Sequence, residues 1–223
     1  MEETIPMKFL LLGATGATGS LFIEQALADG HEVTAYVRSP DKLAPRERLT
    51  VVAGDVRDAA ALTEAMSGAS PDAVVSTLGL GRTRKPNNLI ADSTRAIVEA
   101  AGRSGTSRVL VMSAFGVGQS ADKASAIARF MYRTGGKAIY ADKEVGDRHL
   151  AASDLDWTLA YPVLLTNKPK TGSYQAIDLG QLTRLPGMPR VARADVAAFL
   201  LAAATEDTWS RRTVVLVEGL SRP

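Results

Sequence analysis

The stretch Lys8-Phe9-Leu10-Leu11-Leu12-Gly13-Ala14-Thr15-Gly16-Ala17-Thr18-Gly19-Ser20 decides the fold of this 223-residue chain. Phe9 to Leu12 form an apolar run of strand length, glycine then stands at every third position, and a helically spaced run follows from Leu21 to Leu27. Glycine permits a tight turn and lets the backbone approach a ligand closely, while the free amides and dipole of a helix start favour negative charge. The spacing G-x-x-G-x-x-G differs from the standard G-x-G-x-x-G. In isolation it would also fit a Gly/Ala-rich turn before a packed helix, but the strand before it and the helix after it point to a dinucleotide pyrophosphate site. Gly13, Thr15, Gly16, Ala17, Thr18 and Gly19 are the candidate contacts, with Ser20 adding a hydroxyl.

Outward from this loop, strand-length apolar runs alternate with helical segments. Strands are expected at Lys8 to Leu12, Glu32 to Val37, Leu49 to Val52, Ala73 to Ser76, Arg108 to Met112, Trp157 to Ala160 and Thr213 to Val217. Helices are expected at Ala59 to Met66, Asn88 to Ala101, Ala138 to Ala152 and Ala194 to Ala204. Runs such as Val109-Leu110-Val111-Met112 are apolar throughout, as strands covered on both faces are. The pattern predicts one α/β domain, a doubly wound parallel sheet of the Rossmann kind, with ligands at the carboxyl ends of its strands. Residues 1–6 read as a loose extension. Turn residues crowd the segment 163–192, which reads as a small C-terminal cap on the substrate side.

Strand ends then supply the next candidates. The second strand stops at Arg38-Ser39, where a protein selecting the ribose 2′-hydroxyl would carry an acid. Arginine there suits a 2′-phosphate, with Lys42 close by, although a solvated arginine would look the same in sequence. Gly54-Asp55-Val56 closes the third strand. Asp55 could accept from an adenine amino group or cap a helix, but Asp58 is better placed as the cap.

Composition narrows the classes. Twenty-six basic against 24 acidic residues give a net charge of +2, too small an excess to predict nucleic-acid or membrane binding. The absence of cysteine excludes disulfides and thiolate chemistry, and two histidines, His31 and His149, give no histidine-rich metal site. The short acidic N-terminus lacks the pattern of a secretory signal, and Phe9 to Leu12 falls far short of the ~20 residues that span a bilayer. A soluble, cytoplasmic protein acting on a small molecule is expected.

Taken together, these residues resemble the atypical short-chain dehydrogenase/reductases with an NAD(P)H-binding domain, especially the biliverdin reductase B/flavin reductase type and its NmrA-like relatives. The resemblance rests on Gly13 to Gly19, Val37-Arg38-Ser39, Gly54-Asp55-Val56, Ser113-Ala114-Phe115, Leu155-Asp156-Trp157-Thr158 and Arg193-Ala194-Asp195-Val196-Ala197. It implies NADP(H) as cofactor, with Arg38 on the 2′-phosphate, Asp55 and Val56 at the adenine, and Thr77, Leu78 and Gly79 along the nicotinamide ribose. It further implies Ser113 beside the nicotinamide and Pro162 near the carboxamide.

The wider superfamily's tyrosine and lysine stand four residues apart, one helical turn, so that the lysine lowers the phenol's pKa. Here Tyr140 and Lys143 are three apart, and Ile139 takes the matching place. A displaced dyad of Tyr140 and Lys143 working with Ser113 is one expectation; the other is an acceptor that needs little from a protein acid, such as a flavin, bilin or quinone. Two loops could select that acceptor. Leu80 to Lys85 carries Arg82, Arg84 and Lys85, and the segment from Gly116 to Tyr132 ends in Phe130-Met131-Tyr132, for which helix packing is the first expectation. The resemblance also leaves room for a non-catalytic NADP(H) sensor, or for an epimerase or lyase that uses the nicotinamide transiently.

Overall fold

The computed structural model describes residues 5–79 and 87–219. Its elements, in chain order, are β1 (Lys8–Leu12), α1 (Ala17–Ala28), β2 (Glu32–Val37), β3 (Leu49–Ala53), α2 (Ala59–Ala69), β4 (Ala73–Ser76), α3 (Leu89–Ser104) and β5 (Arg108–Met112). The second half contains α4 (Ala126–Gly135), α5 (Lys137–Ala151), β6 (Asp156–Pro162), β7 (Leu164–Thr166), β8 (Tyr174–Asp178), β9 (Arg190–Ala192), α6 (Arg193–Thr205) and β10 (Arg212–Glu218). The main sheet runs β3-β2-β1-β4-β5-β6-β10-β8, parallel except for β8, which pairs antiparallel with β10.

All of β4 and β5 and the last four residues of β1 are buried, which is why these strands read as uninterrupted apolar runs. Helix α1 packs against α6, while α2, α3 and α5 form a continuous second layer. Because β1 leads outward to β2 and β3 while β4 leads the other way, the strand order reverses between β1 and β4. Doubly wound sheets open their ligand crevice at such a reversal.

The segment expected as a cap has more order than its turn residues suggested. Its β7 and β9 form a separate two-stranded parallel pair, and β8 extends the main sheet. Lys123 donates through Nζ to the carbonyls of Leu179 (2.7 Å) and Leu182 (2.6 Å), tying this segment to the chain after β5. Asp195, buried in α6, accepts from the amides of Thr171 and Gly172 and from the Thr171 hydroxyl. The Arg193-Ala-Asp-Val-Ala motif therefore anchors a loop at this position. Phe130 departs from the packing expected of it, since it is 69% exposed on α4.

His31 gives the fold a pH dependence. Its Nδ1 accepts from the Met7 amide at 3.1 Å, which requires the neutral ring, and burial lowers its pKa below 6.5, with Asp29 raising it and Arg48 lowering it by smaller amounts. The unfolded chain takes up this proton first, so the stabilisation is complete above pH 6.5 and is lost as the pH falls below it. Thermal melts between pH 8 and 5 are expected to show this decline, and His31→Asn, whose amide oxygen can still accept from Met7, is expected to flatten it. An unchanged slope would count against His31 as its source.

Candidate functional site

The glycine cradle, Arg38, Asp55, Thr77 and Ser113 each follow the carboxyl end of a parallel strand, while Tyr140 and Lys143 lie on α5 and Pro162 ends β6. Gly13 leaves β1 with φ +85, a conformation that favours glycine. A Cβ there would lie 2.8 Å from the Thr77 carbonyl carbon and Oγ1. Thr77, just past β4, donates its amide to the Leu12 carbonyl and its hydroxyl to the carbonyls of Leu12 and Gly13. The loops after β1 and β4 are thus locked together across the strand-order reversal. A Cβ on Gly19 would collide with the Gly13 carbonyl oxygen and approach the Ala14 Cα at 2.9 Å. Glycine here lets the helix start close onto the turn.

Thr15, Gly16 and Ala17 are exposed at the rim of this cradle, while Thr18 and Gly19 are buried beneath it. Gly16 caps α1 without any side-chain hydrogen bond, and the first turn carries no acidic residue. The first amides of a helix have no partner within it, so this start offers donors and positive potential to an anion. A pyrophosphate fits that chemistry.

Beyond β2, Arg38 is exposed and has no carboxylate within ion-pair distance among the described residues, while Ser39 beside it is half-buried. Asp55 is already engaged. Its carboxylate takes two side-chain hydrogen bonds from Arg57, at 2.8 and 3.1 Å, and one from the Arg57 amide at 2.9 Å. Those side-chain and backbone bonds hold its pKa down to about 2, with Arg38 adding a weaker pull. Asp58 caps α2 through the amides of Ala60 and Ala61, as its position suggested. Gly54 makes room for Tyr36, whose ring fills the space a Cβ would occupy, and Val56 is buried. Leu78 is half-buried and Gly79 exposed; the basic stretch Leu80 to Lys85 lies outside the described residues.

Past β5 the chain buries a polar cluster that sequence reasoning found only in part. Ser113 donates through Oγ to Asp147 Oδ2 at 2.5 Å, and Tyr161 donates through its hydroxyl to the same oxygen at 2.8 Å. Lys143 Nζ donates to the Met112 carbonyl at 3.3 Å. All four side chains are buried. Lys143 and Asp147 share a face of α5 at four-residue spacing, the one signal available in the sequence. Tyr161 gave none, being apolar in pattern and fourteen positions from Asp147. Asp142, on the same buried side of α5, accepts from the amides of Ile90 and Ala91 and so caps α3 from outside that helix.

Tyr140 stands apart from this cluster electrostatically. It is half-buried, its ring lies 5.1 Å from that of Tyr132, and burial followed by the Tyr132 hydroxyl pushes its phenol up to about 12. Lys143 does not contribute to that shift. Tyr132 in turn sits over Gly116, φ +105, where a Cβ would meet its ring at 2.6 Å. Pro162, the last residue of β6, accepts from the Phe115 amide at 3.0 Å and so joins the ends of β5 and β6.

A family described as NAD(P)H-binding matches residues 13–207, from the first glycine of the cradle to the turn after α6. The chain belongs to this NAD(P)H-binding family. Among its relatives, the Bacillus subtilis protein named uncharacterized sugar epimerase YhfK is 30% identical over 226 residues, spanning 96% of this chain and 95% of that one. ChuY, an anaerobilin reductase from Escherichia coli, superposes with a TM-score of 0.79 at 28% identity, covering 97% of this chain and 99% of its own. A Veillonella parvula short-chain dehydrogenase/reductase in complex with NADP shares the fold at a TM-score of 0.78 and 19% identity, over 98% and 100% of the two chains. The chain thus carries an NAD(P)H-binding oxidoreductase fold. Among the described residues, no helix is long and apolar enough to cross a membrane.

Proposed function

We propose that this chain is an NADPH-dependent reductase that transfers hydride to a conjugated small-molecule acceptor such as a flavin, bilin or quinone. The observation that carries the reading is the Tyr140 phenol, pushed up to about 12 with no lysine acting on it. A reductase that forms an alcohol from a carbonyl needs a tuned proton donor, whereas a conjugated acceptor spreads the incoming charge and tolerates a weaker one. When bound, NADPH would supply the hydride from its nicotinamide ring. The chain's own residues orient and select. The cradle from Gly13 to Gly19 takes the pyrophosphate, Arg38 with Ser39 and Lys42 takes the 2′-phosphate, and Asp55 and Val56 border the adenine. Thr77, Leu78 and Gly79 line the ribose, and Ser113 and Pro162 face the nicotinamide.

The test is NADPH oxidation by purified protein offered soluble flavins, bilins and quinones. Turnover of at least one class is expected, and none across the panel would count heavily against the reading. Arg38 carries the choice of dinucleotide, because a guanidinium pairs with phosphate oxygens through charge-assisted bonds each worth roughly 1.5–3 kcal/mol. Arg38→Gln is expected to weaken NADPH binding by about tenfold or more while leaving NADH binding nearly unchanged. Titration of both dinucleotides checks this, and an unaltered preference would remove Arg38 from the role.

A second reading, favoured by the sugar epimerase name of the Bacillus subtilis relative, is transient oxidation and re-reduction of a sugar at the same nicotinamide. It predicts product from a sugar substrate with no net loss of NADPH.

A further inference from the structure

Asp147 is 4% exposed, and its Oδ1 is buried with no hydrogen-bond partner, while Oδ2 lies 2.5 Å from Ser113 Oγ and 2.8 Å from the Tyr161 hydroxyl. An ionised carboxylate in that position leaves half its charge dry, whereas the neutral acid leaves one unpaired oxygen, a much smaller cost. Resting on the reductase reading, we propose that Asp147 is held as the neutral acid and supplies, through Ser113, the proton that completes reduction of the acceptor.

The surroundings support this assignment. Burial raises the Asp147 pKa, against the smaller opposing effects of the Ser113 hydroxyl, the Lys143 charge and the Tyr161 hydroxyl, with Glu144 raising it further. Burial also drives Lys143 downward, so both members of the pair move towards neutrality. Lys123, in the turn at 118–123, is directed to the Leu179 and Leu182 carbonyls. The charged residues Asp92, Arg95, Glu99 and Arg103 of α3 pair with one another instead.

When bound, the dinucleotide would supply the hydride, and with it the two electrons the acceptor gains, and would itself leave oxidised. The reduced acceptor then takes the Ser113 hydroxyl proton, so that the Oγ–H bond breaks as the acceptor's new bond to hydrogen forms. For this the neutral acid carries its proton on Oδ2 and donates it to Ser113 Oγ, with the Ser113 hydroxyl turned from Oδ2 to the acceptor; as that Oγ–H bond breaks, Ser113 takes the Oδ2 proton across the 2.5 Å contact, leaving a carboxylate that accepts from Tyr161 beside Lys143. Water restores the acid after product leaves. Asp147 touches neither acceptor nor dinucleotide and acts only through Ser113.

The experiment follows the infrared carbonyl band of a protonated carboxyl in the ligand-free protein across pH, in the wild type, Asp147→Asn and Tyr161→Phe. A band present at neutral pH and absent from Asp147→Asn is expected. Tyr161→Phe removes a bond that favours the carboxylate, so the band is expected to persist to higher pH. With NADPH and an acceptor found by the panel, Asp147→Asn is expected to lose about 100-fold in kcat at unchanged NADPH affinity. The alkaline limb of the Tyr161→Phe rate profile is expected to move upward with the band. No band at neutral pH, a downward move in Tyr161→Phe, or wild-type kcat in Asp147→Asn overturns the proposal. Protein that binds NADPH but reduces nothing defeats the reductase reading itself, and the proton delivery with it, whatever the band shows.

Discussion

Gly19→Ala is expected to weaken NAD(P)H binding by at least about 100-fold, with a loss of roughly 1–3 kcal/mol in stability from overpacking. The added methyl would collide with the Gly13 carbonyl oxygen and press on the Ala14 Cα, and both are backbone. No side chain can swing aside, so the turn itself must open. Gly13 cannot yield, because its own missing Cβ is what lets Thr77 lie against it and because Thr77 is bonded to Leu12 and Gly13. Opening the turn therefore pulls the amides of the α1 start out of register with a bound pyrophosphate. Gly68→Ala in α2 is the control, since a Cβ there meets nothing within 4 Å. It is expected to leave binding unchanged and to raise stability by about 0.5 kcal/mol, as alanine does over glycine in helices. Calorimetric titration and urea midpoints on the two variants check both halves, and tight binding by Gly19→Ala would refute the cradle.

The same contrast explains which parts of this molecule could be read from its sequence. Strands β1, β4 and β5 have the expected limits, Lys8–Leu12, Ala73–Ser76 and Arg108–Met112, because burial on both faces writes itself as an unbroken apolar run. Strand β8 was not legible. Its residues Tyr174, Gln175, Ala176, Ile177 and Asp178 are half-buried or exposed with no alternation, and only pairing with β10 makes them a strand. In α4 the helix expected around Phe130 is present but its packing is not the one expected, since Phe130 is 69% exposed and Ile127, one turn before it, 66%.

Within the site, the glycine cradle is a backbone feature spelled by residues three apart, so it shows in one short stretch. The cluster around Asp147 is assembled from the end of β5, the buried face of α5 and the penultimate residue of β6. Its members meet only because α5 packs closely enough on α3 for Gly146 to lie against Thr94 and Ile90. In the sequence Ser113 stands at a strand end and Lys143 and Asp147 share a helix face, and tertiary packing alone joins that carboxyl to Ser113 and Tyr161. Tyr140 illustrates the converse. Its spacing from Lys143 permits a dyad, but its ring is committed to Tyr132 and its phenol is raised instead of lowered.

Ser113→Ala is expected to lower kcat by about 100-fold with NADPH affinity within about twofold of wild type, the range in which loss of a positioned proton donor falls. Ser113 lies at the end of β5, where its amide is fixed by the Ala160 carbonyl at 2.8 Å, so removing the hydroxyl leaves the strand in place. What changes is the chemistry at Oγ. A methyl cannot give up a proton, and it leaves Asp147 Oδ2 with Tyr161 as its remaining partner beside an Oδ1 that already has none. The carboxyl is then driven still further from ionisation, and the protein is expected to lose about 1–3 kcal/mol for the unpaired group. Stability and rate therefore fall together in Ser113→Ala, while an acceptor that takes its proton from water is expected to be reduced at a nearly unchanged rate. Rapid-mixing measurements with two acceptors of different proton demand separate the cases. Equal losses for both would place Ser113 in alignment of the hydride, and no loss for either would remove it from the reaction.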